Sequence, residues 1–221
     1  MFLHFTRPPQ LQIKVFYEVG AEPYISDTPL LKYWSILEQN MEALYAGREV
    51  EPQLVVPKEL NQMVSMPASG DLKWTTDEVV KLAQKMNPVS DSSFQIFFLN
   101  GRANDGDGII GFHINGTRII AIFKEVVRST GSGAGQMVPK YVEQATLIHE
   151  MGHALGLVNN GVPMQEEHQD LAHGAHCSDK NCVMYWANEG TSGLANFSQR
   201  AINEGNIIMF GDKCLKDTRS Y

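Results

Sequence analysis

From Leu11 to Tyr17 apolar and polar residues alternate, the period-two pattern of a strand with one buried face. Gly20 to Pro23 then reads as a turn. Asp27-Thr28-Pro29 has the composition of a helix start, and Leu31, Trp34, Leu37, Met41 and Leu44 keep helical spacing until Gly47. Leu54 to Val56 predicts a brief strand. A second helix is expected from Thr75 and Thr76, with Asp77 and Glu78 in the turn that favours negative charge, running to about Met86 before Asn87-Pro88. Phe94 to Leu99, Ile109 to Ile114 and Thr117 to Val126 read as strands, and Asn115-Gly116 is a strong hairpin signal between the last two. Asn100 to Gly108 is a loop, either a plain surface turn or an edge where a peptide pairs with the sheet. Ser129 to Gly135 is a Ser/Gly connection. Tyr141 to Val158 is helical again, and Leu147, Ile148, Met151, Leu155 and Val158 form an apolar stripe. That stripe should pack on a core and leave the opposite side facing a cleft. There is no internal repeat.

A chain of 221 residues is long enough for one substantial domain or at most two small ones. With 43% hydrophobic and 19% charged residues, it has the composition of a globular protein with a real core. A net charge of -7 with pI near 5.5 leaves no basic stripe to neutralise phosphates, so no nucleic-acid partner is expected. No apolar run reaches the ~20 residues that span a bilayer, so no transmembrane segment is expected. Met1 to Gln10 lacks the charged start and apolar core of an export signal. Asn115-Gly116-Thr117 and Asn196-Phe197-Ser198 match the glycosylation pattern, which is too short to carry weight.

Chemistry concentrates in the last helix. His149, Glu150, Met151, Gly152 and His153 spell H-E-x-x-H, which places two imidazoles one turn apart on one face. Glu150 stands about 100° round the axis from His149. Two nitrogen ligands, a carboxylate beside an open coordination position and a water between them are the parts of a zinc hydrolase. The plainer alternative is two surface histidines on an ordinary helix.

Such a zinc needs a third protein ligand. Gly156 lets the chain turn away three residues beyond His153, but Asn159 is a poor zinc ligand at neutral pH, so the ligand must come from further on. His168, His173 and His176 are the candidates; Asp170 near His168 could brace a ligand there. Glu166 or Glu167 would serve in a gluzincin-type site, although Gly161-Val162-Pro163 makes both look like loop residues. Cys177, Cys182 and Cys214 leave two arrangements open: a Cys177–Cys182 disulfide, or a structural metal held by all three.

The spacing H-E-x-x-H-x-x-G resembles the metzincin clan of zinc endopeptidases. His176-Cys177, then Cys182 and Met184, reproduces H-C-x-x-x-x-C-x-M and is similar to the archaemetzincin branch of that clan. The resemblance covers about Gln144 to Tyr185. It implies His176 as third ligand ahead of His168 and then His173, Met184 as a Met-turn beneath the metal, and a weaker role for Tyr185 at the oxyanion. Nineteen residues, Leu157 to Ala175, separate Gly156 from His176 where the branch has three, so an inserted loop is implied. The branch's later C-x-x-C pair is absent, and Cys214 stands alone.

The implied fold is α+β and zincin-like: a twisted mixed sheet with packing helices, an active-site helix and a smaller C-terminal subdomain. That is one metallopeptidase domain over 1–221, with an upper part of about 1–157 and a lower part of about 158–221. The implied activity is zinc-dependent hydrolysis of a peptide or protein substrate by a monomer. His149, His153 and His176 would hold Zn2+ and Glu150 would act as general base. Enzymes of this chemistry commonly work in secreted or cell-envelope settings, which is the expected location. A non-catalytic, zinc-binding pseudo-protease module is the alternative from another class.

Overall fold

The computed structural model describes residues 10–28, 31–48, 51–86, 93–131 and 137–219. In the first part of the chain lie β1 (Gln10–Glu18), β2 (Ser26–Thr28), β3 (Leu31–Lys32), α1 (Trp34–Tyr45), β4 (Gln53–Val55), β5 (Val64–Met66), β6 (Lys73–Trp74) and α2 (Thr76–Met86). Then follow β7 (Ser93–Leu99), β8 (Arg102–Ala103), β9 (Gly111–His113), β10 (Ile119–Phe123), α3 (Lys124–Ser129), α4 (Val138–Leu155), α5 (Thr191–Glu204) and α6 (Asp212–Arg219).

The main sheet runs β4-β1-β7-β10-β9, with β5 also on β1. All pairings are parallel except β9, which runs antiparallel to β10 at the edge. The fold is therefore mixed α and β around a mixed sheet. The strand patterns follow from position. β1 alternates buried and half-buried residues along most of its length, whereas β7 and β10 are buried at every residue. Central strands covered on both faces read as continuous apolar runs. One cluster of buried apolar side chains continues from Leu11 in β1 to Leu215 in α6.

Several sequence expectations need correction. The first helix begins at Trp34, because Ser26–Thr28 pairs with Leu31–Lys32 in a small antiparallel ribbon. Tyr33 N–H closes that ribbon on the Ile25 carbonyl, and the Trp34 indole donates to the Tyr24 carbonyl (3.1 Å). Pro29 lies outside the described residues, as do Asn87-Pro88 and 132–136 of the Ser/Gly connection. The expected strand to Val126 stops at Phe123. Lys124–Ser129 is helical because the Lys124 ammonium is buried in an ion pair with Glu143 of α4 and sits over the Tyr24 ring. The strand before the hairpin shrinks to Gly111–His113, while Gly116 takes the left-handed conformation (φ 75°) that the turn requires. The 100–108 loop is no free peptide edge, since Arg102–Ala103 pairs with Lys73–Trp74. The exposed flank of the main sheet near α4 is β9.

The C-terminal helices α5 and α6 had no sequence expectation. They change the setting of α4, which the apolar stripe suggested would be half-buried. In fact only Lys140 and His153 of that helix escape full burial. The sheet side, α1, α3 and α5 all pack against it.

Candidate metal centre

α4 carries His149, Glu150 and His153 in its last two turns. Gly156 ends it in the left-handed region (φ 87°), so that the Gly156 and Leu157 N–H groups return to the His153 and Gly152 carbonyls. The His149 and His153 Nε2 atoms face each other at 3.0 Å. His176 arrives from the long loop after α4, its ring centroid 5.3 Å from that of His149 and 4.9 Å from that of His153. Glu189, the last residue of a 3-10 turn at Trp186–Glu189, brings a carboxylate oxygen to 3.1 Å of His176 Nε2. One ligand atom from each of these four side chains lies within 4.8 Å of every other.

Hydrogen bonding fixes which nitrogens point inward with a lone pair. His149 Nδ1 donates to the Val183 carbonyl (2.8 Å) and His176 Nδ1 to the His173 carbonyl (2.6 Å). A carbonyl only accepts, so the proton sits on Nδ1 in both rings and Nε2 is left as a free donor to a metal. His176 Nε2 is buried without a hydrogen-bond partner, because the Glu189 oxygen is at ion-pair distance but outside hydrogen-bond geometry. Imidazole lone pairs converging beside a carboxylate at the mouth of the site repel each other unless a cation lies among them. The donor set fits a divalent metal that favours imidazole.

The protonation states agree. Burial pulls His149 down to about 4, with the Val183 carbonyl pulling the other way. Burial, then the neighbouring His149 and His176, push His153 well below its ordinary range. Both are neutral at pH 7, the form that ligates. Burial opposes the proton on His176 too, but the Glu189 carboxylate outweighs it and the net shift is upward.

Glu150 is set by the sheet edge. Its Oε2 accepts the His113 N–H of β9 (2.8 Å), and burial raises its carboxyl to about 8 despite that hydrogen bond. Beneath the histidines, Met184 packs on Gly152. A Cβ at Gly152 would collide with the Met184 sulfur and come within 3.2 Å of the Phe210 ring. Asn188 holds this stretch by donating Nδ2 to the Cys182 (3.2 Å) and Val183 (3.0 Å) carbonyls.

The other sequence candidates lie elsewhere. His168 is buried against Cys177 and Asp217, so its carboxylate neighbour is Asp217 and not Asp170. Asp170 pairs instead with His173, whose ring stacks on Trp186 at 4.0 Å. Asn159 reaches Gln169 (3.3 Å), Glu166 pairs with Lys213 and Lys216, and the Glu167 carbonyl accepts from Lys213. Tyr185 packs its ring near Trp186. All three cysteines are free and buried, so the Cys177–Cys182 disulfide does not form. Glu189 and Asn188 were missed. Neither belongs to a spaced motif, and their approach depends on how the 3-10 turn folds back on the helix.

No family model matches the chain, and no curated protein matches its sequence. Among solved structures the chain is similar to archaemetzincin from Methanopyrus kandleri, with 14% identity over 97% of this chain and 96% of that one and a TM-score of 0.48. It is similar to a zinc-dependent peptidase from Methanocorpusculum labreanum, with 14% identity over 93% and 99% and a TM-score of 0.49. It is also similar to archaemetzincin from Archaeoglobus fulgidus complexed with malonate, with 14% identity over 94% and 99% and a TM-score of 0.47.

Proposed function

We propose that this chain is a zinc-dependent endopeptidase of the metzincin kind, with its parts at about 1–157 and 158–221 working as one domain. The observation that supports it most is the convergence of three imidazoles beside a buried glutamate. His149 and His176 have their lone pairs turned inward by backbone carbonyls. His149, His153 and His176 would hold zinc. When bound, zinc polarises the scissile carbonyl and acidifies water at the site.

The remaining chemistry belongs to the side chains of the chain. Glu150, oriented through Oε2 by the His113 N–H, takes the proton of the attacking water and passes it to the leaving amine. Burial raises its proton affinity, which suits a group that must accept and then release a proton. The Val183 and His173 carbonyls hold His149 and His176 in the ligating tautomer through the cycle. β9, the antiparallel edge strand that carries His113, is the flank on which an extended peptide would pair.

Zinc content and casein cleavage, measured on wild type and on Glu150→Gln, test this reading. The variant should keep its zinc and lose about 10²–10⁴-fold in turnover, the range for a general acid–base group. Undiminished cleavage in that variant would remove the proposed mechanism. A zinc-loaded wild type that cleaves neither casein nor a peptide panel would favour the non-catalytic module.

A further inference from the structure

The three histidines of the metal centre are not held alike. His149 and His153 are fixed to each other by one turn of α4, whereas nineteen residues, Leu157 to Ala175, separate Gly156 from His176. Closing a loop of that length has an entropic cost, and a slack loop would spread the His176 ring over many positions.

The end of the loop is not slack, because residues 168–178 fold back on themselves as a small hairpin. The Ser178 N–H donates to the His168 carbonyl (2.8 Å), Gln169 bridges Cys177 in antiparallel register, and the Asp170 N–H donates to the His176 carbonyl (2.7 Å). The Cys177 N–H in turn donates to the Met184 carbonyl (2.7 Å), which ties the hairpin to the stretch beneath the histidines.

Asp170 builds the turn at the tip. Its Oδ1 accepts the Ala172 N–H (3.1 Å), its carbonyl accepts the His173 N–H (3.0 Å), and its Oδ2 accepts from His173 Nδ1 (2.8 Å). A carboxylate that closes on the backbone two residues on is an Asx-turn. Gln169 holds the far side of the same turn. Its Nε2 donates to the carbonyl of Gly174 (2.8 Å), a residue in the left-handed region (φ 72°), while its Oε1 accepts from Asn159 Nδ2 (3.3 Å).

These contacts converge on the His173 carbonyl, which accepts His176 Nδ1 (2.6 Å). The His173 ring is pinned twice, by the Asp170 carboxylate at its edge and by Trp186 stacked on its face at 4.0 Å. Trp186 opens the 3-10 turn that ends in Glu189. The geometry points to Asp170 as a positioning residue for the third zinc ligand. The turn it builds fixes the His173 carbonyl, and that carbonyl fixes the tautomer and direction of the His176 ring. Outer partners of this kind orient a ligating histidine without touching the ion. The inference rests on zinc at the His149–His153–His176 site and not on hydrolysis.

Zinc affinity by chelator competition, with urea denaturation beside it, tests this. The zinc that wild type holds and His149→Ala/His153→Ala does not is the ion to follow. Asp170→Ala should bind it about 10–100-fold more weakly at an unchanged urea midpoint. Asp170→Asn should restore the affinity, because the amide still accepts the Ala172 N–H and can donate to His173 Nδ1 in its other tautomer. Leu171→Ser, at a side chain 85% exposed on the same turn, should leave the affinity as it is.

Undiminished affinity in Asp170→Ala overturns the assignment, and so does an Asp170→Asn variant as weak as Asp170→Ala. If Asp170→Ala falls in urea stability, Gln169→Ala decides in its place, and wild-type affinity there overturns the role of the turn. A wild type that holds no more zinc than His149→Ala/His153→Ala removes the metal site and this inference with it.

Discussion

Glu189 Oε1 lies 3.1 Å from His176 Nε2, and the carboxylate approaches from the solvent side while the imidazole is buried. It adds a negative charge beside His149 and His153, which are neutral at pH 7. Glu189→Gln should therefore weaken zinc binding by about 10–100-fold, as loss of a partner beside the ligands does. Competition against a chelator of known affinity reads the change. Equal affinity in the variant would show that Glu189 is an ordinary surface carboxylate.

Gly152 and Met184 are packed so closely that no side chain fits between them. Gly152→Ala puts a better helix former into α4 yet must push Met184 or the helix aside. Overpacking of this kind costs about 1–3 kcal/mol. Urea denaturation should show the loss, and hydrolysis should fall further than stability does, because the displacement lies directly under the histidines. A variant as active and as stable as wild type would mean that the Met184 loop is free to move.

Lys124 and Glu143 form an ion pair with both side chains fully buried, and Glu143 also accepts the Tyr24 N–H (2.7 Å). Burial lowers the proton affinity of Lys124 and raises that of Glu143, each partner opposing the shift of the other. Removing one partner leaves a buried charge without compensation, which costs about 3–5 kcal/mol. Lys124→Met and Glu143→Leu should each unfold at much lower denaturant. The double variant should recover most of the loss, and a simple sum of the two single effects would count against the pair.

Metal removal should lower stability as well as activity. An ion present at about 1,000 times its dissociation constant adds about 4 kcal/mol to the folded state. Dialysis against a chelator should lower the melting temperature, and Zn2+ should restore it. Mg2+ should not, because imidazole donors suit it poorly. Recovery with Mg2+ would contradict the proposed zinc site.

The sequence by itself determined the elements whose signal is local. The alternation in β1, the Asn115-Gly116 hairpin, the body of α1 from Trp34, α2 and the H-E-x-x-H helix are all present. Their residues meet through spacings of two, three or four, which backbone geometry fixes before any long-range contact forms. The same holds for His149 and His153, which had to share a face.

Only the tertiary structure decided the rest, because proximity across a fold carries no spacing rule. His176 reaches the site and His168 turns away to Cys177 and Asp217, although both lie in one loop and are the same residue type. Lys124 ends a strand and starts a helix because Glu143, nineteen residues on, supplies its counter-charge inside the core. Glu189 joins the histidines through the fold of a four-residue turn. A burial pattern can be read along the chain, but the partner of a buried polar group is chosen by whichever element packs against it.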